Sequence, residues 1–239
     1  RERFPVEPIE IAEGLRGVML LARTGQEMFL SSVIHSATIA RLALQSDALR
    51  RLLQAGPSFK EMGVYFQLLT ALRAKRSDGA HENELIVIDM PATGHTLSLT
   101  GLPELLLRLV PRGPIAEALR EGKTYLNDPA QAAAVVVAIP ETLPVTECLE
   151  LLEGLRSTSM HAAAVVMNRV PADPFTPSER AALDEVLTRT PTLGVDGFRR
   201  PKRSHEEIAR LRAATSVPIR LVPELPQAGL IGAVAEALA

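Results

Sequence analysis

The 239-residue chain predicts an α/β fold: a doubly wound, mostly parallel sheet with flanking helices. Three observations predict it. Short apolar runs occur at Leu85–Asp89, Ala132–Ile139 and Ala162–Met167. A helix-like spacing of apolar residues follows each run. Two of the runs, Ala132-Ala133-Ala134-Val135-Val136 and Ala162-Ala163-Ala164-Val165-Val166, start about 30 residues apart, the length of one β-loop-α unit. They read as neighbouring crossovers of one parallel sheet rather than as a solenoid repeat.

The elements follow in order. The opening is rich in proline and acidic residues, and Leu15–Leu21 reads as a strand. Met28, Val33, Ile34, Ile39, Leu42, Leu49, Leu52 and Leu53 mark a long helix from Thr24 to Gln54, stopped by Gly56-Pro57. A second helix covers Phe59–Lys75, and Arg76–Glu84 is a polar linker. Leu85-Ile86-Val87-Ile88-Asp89 has the wholly apolar text of a parallel strand buried on both faces. Helices are expected over Leu102–Val110, Pro114–Leu126, Val145–Leu155, Pro177–Thr190, Ser204–Ala214 and Gly229–Leu238, with a last strand at Val217–Val222.

Composition narrows the function. Hydrophobic residues make up 46% of the chain, enough for a large core in one α/β domain. The formal net charge of −2 and the absence of Trp give neither an electrostatic pull towards nucleic acid nor a platform for stacking bases. No nucleic-acid partner is expected. The single cysteine, Cys148, rules out a disulfide within the chain and reads as a small apolar helix residue. No run is long enough to span a bilayer and no signal peptide is visible, so a reduced, cytoplasmic location is expected.

Ligands of open parallel sheets bind at the carboxyl ends of the strands. Asp89 closes the first buried run, and Met90-Pro91-Ala92-Thr93-Gly94-His95-Thr96 follows it. A carboxylate there can serve a hydrated Mg²⁺, which needs only one or two protein carboxylates. Pro91 stiffens the loop, Gly94 lets backbone N–H groups approach a phosphate, and Thr93 and His95 add polar groups. An ordinary strand-end Asp before a turn is the alternative reading of these residues.

The segment Leu85–Leu97 resembles the strand-plus-switch signature of the ArsA-type family of P-loop ATPases. That family includes the arsenite-pump ATPase and the ATPase that targets tail-anchored membrane proteins. Its usual text is DTAPTGHTLR, from which this chain departs at Met90, at the exchanged Pro91-Ala92 and at Ser98. The PATGH variant is similar to a bacterial branch. Gly113-Pro114-Ile115, Asn127-Asp128-Pro129, Ile139–Glu147, Val165–Val170 and, more loosely, Val222–Pro226 resemble later family segments in the same order. The resemblance covers roughly Pro8 to Ala239.

The resemblance implies a dimeric switch, homodimeric or paired with a related ATPase subunit, that couples Mg·ATP to a client or membrane partner. Asp89 would hold Mg²⁺ through a water. Thr93, Gly94 and His95 would form the switch that senses the γ-phosphate. Asn168 would hydrogen-bond the adenine edge and Pro223 would line the base. The family's glycine-rich GKGGxGKT loop has no match in these 239 residues, nor has its early switch Asp. The chain is therefore expected to be an N-terminally incomplete ArsA-type domain over 1–239, nearly inactive alone because the loop supplies most of the phosphate stabilisation. A regulatory or scaffold subunit without its own P-loop is the alternative, and an unrelated α/β binding domain is a third. The zinc-binding CxxC of the tail-anchor branch is absent, and so is a cysteine cluster for a soft metalloid.

Residues 97–127, with Leu99, Leu102, Leu105, Leu106 and Leu109, are expected to form a helical insertion that packs in the core or offers a groove to a hydrophobic client. Glu141 and Glu147 are expected to cap and complement a helix start. Arg199–Arg203 reads as a solvated basic loop, and the C-terminal helix, without Lys or Arg, should dock on the sheet.

Overall fold

The computed structural model describes residues 7–33, 57–90, 107, 112, 114–189, 194–225 and 230–238. The chain divides into two compact units, Arg1–Tyr125 and Leu126–Ala239.

In the first unit, strands β1 (Ile9–Ala12) and β2 (Leu15–Gly17) form an antiparallel hairpin in which Ile9 faces Gly17. The strand expected over Leu15–Leu21 is thus cut short at Gly17, where pairing with β1 runs out. Helix α1 (Ala22–Val33) follows, and the Leu21 N–H donates to Gln67 Oε1 at 2.9 Å. The continuation of the predicted helix to Gln54 lies outside the described residues.

Helix α2 (Pro57–Arg73) opens on a proline, whose missing N–H is harmless in a first helical turn. It crosses α1 at a pair of glycines. A Cβ built on Gly25 would lie 1.7 Å from the Gly63 carbonyl oxygen, and one on Gly63 would lie 2.1 Å from that of Ala22. Only hydrogen at both positions permits this approach. Helix α3 (Pro114–Asn127) adds Ala116 and Leu119 to a buried group with Tyr65, Leu68 and Leu69 of α2. An Arg73–Glu121 ion pair joins the two helices at their exposed rim. The Tyr65 hydroxyl is buried without a hydrogen-bond partner among the described residues, and burial pushes its pKa up. Of the expected 97–127 insertion, α3 is the described helix, and residues 97–106, 108–111 and 113 lie outside the described residues.

The polar linker is a folded turn: Lys75 bridges His81, and Asp78 Oδ1 accepts the Ala80 N–H at 2.9 Å. Arg16 donates to Glu82 at 2.7 Å and to Asn83 at 2.8 Å, tying the hairpin to this turn.

Leu85–Asp89 does not form the expected buried strand. It belongs to no strand, and Leu85 and Val87 are 81% and 85% exposed. A strand is defined by its ladder, and none of the described residues pairs with this run.

In the second unit, β3 (Ala134–Ala138), β4 (Ala162–Val170) and β5 (Ile219–Pro223) form a parallel sheet in the order β3-β4-β5. The β3–β4 register aligns Val136 with Val165 and Ala138 with Met167. Both connections are crossovers, as the repeated apolar units predict. The first runs through α4 (Thr142–Ser157). The second runs through α5 (Pro177–Arg189) and α6 (Val195–Ala214).

Val136, Val165 and Met167 bury one face of this sheet against Val145, Cys148 and Leu155 of α4 and Ile208 and Leu211 of α6. Burial pushes the Cys148 thiol up to about 11, as suits an unreactive core residue. On the opposite face, Val135 and Val137 of β3 are 57% and 64% exposed. Helix α7 (Leu230–Leu238) packs against β5, as expected, although Ile231 points to solvent.

Two local expectations are corrected. Arg199–Arg203 is helical, because α6 begins at Val195 and includes Pro201, whose side chain is buried. Two of its four charges are paired, Arg200 with Glu224 and Arg203 with Asp196. Glu141 occupies the N-cap position of α4 but makes no side-chain cap bond, and Glu147 is exposed one turn further on. Thr142 ties this helix start to α6 instead, donating to Glu207 at 2.9 Å, while Arg210 donates to the Thr142 carbonyl at 3.0 Å.

Candidate functional site at the carboxyl edge of the parallel sheet

The site is built where β4 and β5 end. Val170 pairs with Pro223, and the Glu224 N–H donates to the Val170 carbonyl at 2.9 Å, the last bond of the ladder. Asn168 lies two residues before the end of β4. Its Oδ1 accepts the N–H of Arg169 at 2.9 Å, and Arg169 takes a left-handed backbone with φ of 56°. A non-glycine residue in that region is strained, and Asn168 supports it where the β4–β5 register shifts between Met167 and Val170, as at a β-bulge.

Beside this edge lies a cavity of about 450 Å³, formed wholly within the second unit. Pro171, Ala172, Pro174 and Phe175, from the loop after β4, form one wall. Gly194, Gly197, Phe198 and Pro201, from the start of α6, form another, and Glu224 after β5 closes the side.

Arg180 of α5 joins the walls. Its Nε and Nη2 donate to Asp173 at 2.7 and 2.6 Å, and its Nη1 donates to the Phe198 carbonyl at 2.8 Å. Its guanidinium sits 4.5 Å from the Phe198 ring centroid and 5.7 Å from that of Phe175. The two rings are tilted by 55° with centroids 5.5 Å apart. The ion pair is largely shielded, with Arg180 and Asp173 side chains 16% and 25% exposed. Such a forked pair is stronger than an exposed single contact.

The loop's far end is fixed by a capping box. The Thr176 N–H donates to Glu179 at 2.8 Å and the Glu179 N–H donates back to Thr176 Oγ1 at 3.3 Å. The Arg180 guanidinium holds the Asp173 carboxyl below the usual carboxylate range. Because that pKa is lowered in the folded chain, the stabilisation is present above the unfolded-state value. It is lost as pH falls through the lowered one.

The structure brings two of the predicted site residues together. Asn168 and Pro223 lie at the carboxyl ends of adjacent strands, 55 positions apart in sequence, although neither lines the cavity. Asp89 lies in the first unit on an exposed extended segment. Thr93, Gly94 and His95 lie outside the described residues. Among the described residues no three His, Cys, Asp or Glu side chains cluster as a metal site. A lone exposed carboxylate such as Asp89 still fits a hydrated Mg²⁺, which keeps most of its waters. Asp173, Phe175, Arg180 and Phe198 carry no motif. The Thr176-Pro177-Ser178-Glu179 capping text was the one local signal near them.

Comparison of the chain with protein-family models gives no match, and comparison with curated proteins gives none either. The described helices include none long and apolar enough to cross a membrane.

Proposed function

We propose that this protein is an ATP-driven switch of the ArsA type that works as a dimer and couples Mg·ATP to a client or membrane partner. The observation that carries this reading is that Asn168 and Pro223 both lie at the carboxyl edge of adjacent parallel strands, next to residues (Pro171 and Glu224) that line a cavity of nucleobase size. The Asn168 amide is suited to adenine. Its Oδ1 spends one lone pair on the Arg169 N–H, which fixes the amide plane. Among the described residues nothing else engages this amide, so one acceptor lone pair and both Nδ2 hydrogens are open, the complement of an adenine amino group and its neighbouring ring nitrogen.

At the phosphate end, Asp89 would hold Mg²⁺ through a water, with Thr93, Gly94 and His95 as the phosphate-sensing loop. Bound Mg²⁺ would neutralise charge on the phosphate oxygens. Asp89 would keep the hydrated ion in place, and His95 and Thr93 would report the γ-phosphate to the partner subunit.

The test is equilibrium binding of Mg·ATP and Mg·GTP to the full-length protein. Asn168→Ala should weaken ATP by about 1–2 kcal/mol, as for one lost buried hydrogen bond, and leave GTP unchanged. Equal affinities of the wild-type protein for both nucleotides would sink the reading. Turnover separates the rival, a non-catalytic regulatory or scaffold subunit. That rival gains some support from Leu85–Asp89, which joins no ladder with any of the described residues. In an active switch Asp89→Ala should abolish turnover more than binding.

A further inference from the structure

We infer that Asp173 and Arg180 are positioning residues for the ligand of this edge: their ion pair clamps the β4–α5 loop against the start of α6 and shapes the cavity for a flat, uncharged ring. The inference rests on the nucleotide reading above and names residues to which that reading gives no part.

The geometry assigns the role. Three guanidinium nitrogens of Arg180 each hold a different oxygen, two on Asp173 and one on the Phe198 backbone. Those acceptors lie on opposite walls of the cavity. One is in the loop that supplies Pro171, Pro174 and Phe175, and the other is in the first turn of α6. The guanidinium face also fixes the Phe198 ring. Asp173 adds a further bond within its own loop, accepting the Phe175 N–H at 3.1 Å. Both walls therefore depend on one side chain.

The same arrangement selects the ligand's chemistry. Arg180 is neutralised by Asp173, and Arg200, the other lining arginine, is neutralised by Glu224 at 2.9 Å. Among the described lining residues no cation is left unpaired for an anion. Beside these paired charges the lining presents prolines, glycines and aromatic rings, which suit the face of a heterocycle better than a phosphate. A lysine could neutralise Asp173, but it has no planar fork to span both walls.

The experiment is a two-dimensional amide NMR titration of the whole chain with adenosine, with inorganic phosphate in parallel. Adenosine should shift amides of 171–176 and 194–201, and phosphate should leave them in place. Arg180→Lys should weaken adenosine about tenfold, the loss of one charged hydrogen bond, while the β3, β4 and β5 amides stay unchanged. A merely structural role would disturb those strand amides and leave affinity per folded molecule intact. If Arg180→Lys does not fold, Asp173→Asn, which keeps the side-chain shape, should show the same loss. Wild-type affinity in the variant that folds overturns the positioning role and leaves the nucleotide reading standing. Shifts by phosphate and not adenosine overturn the ring selectivity. A wild-type chain that responds to neither adenosine nor Mg·ATP overturns the nucleotide reading, and this inference with it.

Discussion

Leu85-Ile86-Val87-Ile88 in the first unit and Ala134–Ala138 in the second have the same apolar text and opposite fates. The second run is a strand whose Val136 is buried, in parallel register with β4. The first pairs with none of the described residues and is largely exposed. Composition set the same expectation for both. The difference is the neighbour: β3 lies beside β4, which β5 flanks in turn, and two crossover helices cover one face of the three. A β-branched apolar run is a statement about surface to be buried, and only a ladder partner turns it into a strand.

The first way to test this contrast is to damage the well-supported side. Met167 is fully buried at the centre of β4, under α4 and α6. Met167→Ala should cost about 3 kcal/mol, from lost burial plus the cavity left behind. Because the chain has two units, the loss should be read by hydrogen exchange of the β4 amides rather than from one global midpoint. A cost under about 1 kcal/mol would mean that this core can collapse onto the gap.

What the sequence made legible follows the same line. The three strands of the second unit, their parallel order and the helices between them were readable, because each buries a periodic apolar face against the next. Asn168 and Pro223 were singled out by the family resemblance, and the apolar runs before them put both at strand ends. The clamp was not. Asp173 and Arg180 are charged residues seven apart, with no apolar rhythm, and only the fold puts Phe198 beneath the guanidinium. Arg199–Arg203 misled because a basic run with a proline looks like a loop, whereas partners at Asp196 and Glu224 and a buried Pro201 let it stay helical. Gly25 and Gly63 carry no motif, and their use appears only where two backbones meet.

The second test probes what holds the first unit in place of a sheet. Gly25→Ala puts a methyl group where the Gly63 carbonyl oxygen stands, so α1 and α2 must separate. The higher helix propensity of alanine would return about 1 kcal/mol, and overpacking against rigid backbone should outweigh it. The net expectation is a loss of about 2 kcal/mol, seen as faster exchange in α2 with β3–β5 unaffected. A stabilised Gly25→Ala protein would show that the two helices do not cross this closely.

The smallest expected effect is the sharpest. Val→Thr keeps side-chain shape and replaces one methyl with a hydroxyl, so its cost reports burial and little else. At Val165, fully buried in β4, the hydroxyl has no water, and the change should cost about 2 kcal/mol. At Val87, which is 85% exposed, the same change should stay within about 0.5 kcal/mol. Urea titrations of the two variants, followed through amides of their own units, compare them directly. If Val87→Thr costs as much as Val165→Thr, the Leu85–Asp89 run is buried in a ladder in solution. Asp89 would then stand at a strand's carboxyl end, where a Mg²⁺ partner belongs. If Val87→Thr costs nothing, Asp89 sits on an open segment, and any role it has must wait for a ligand or partner to order it.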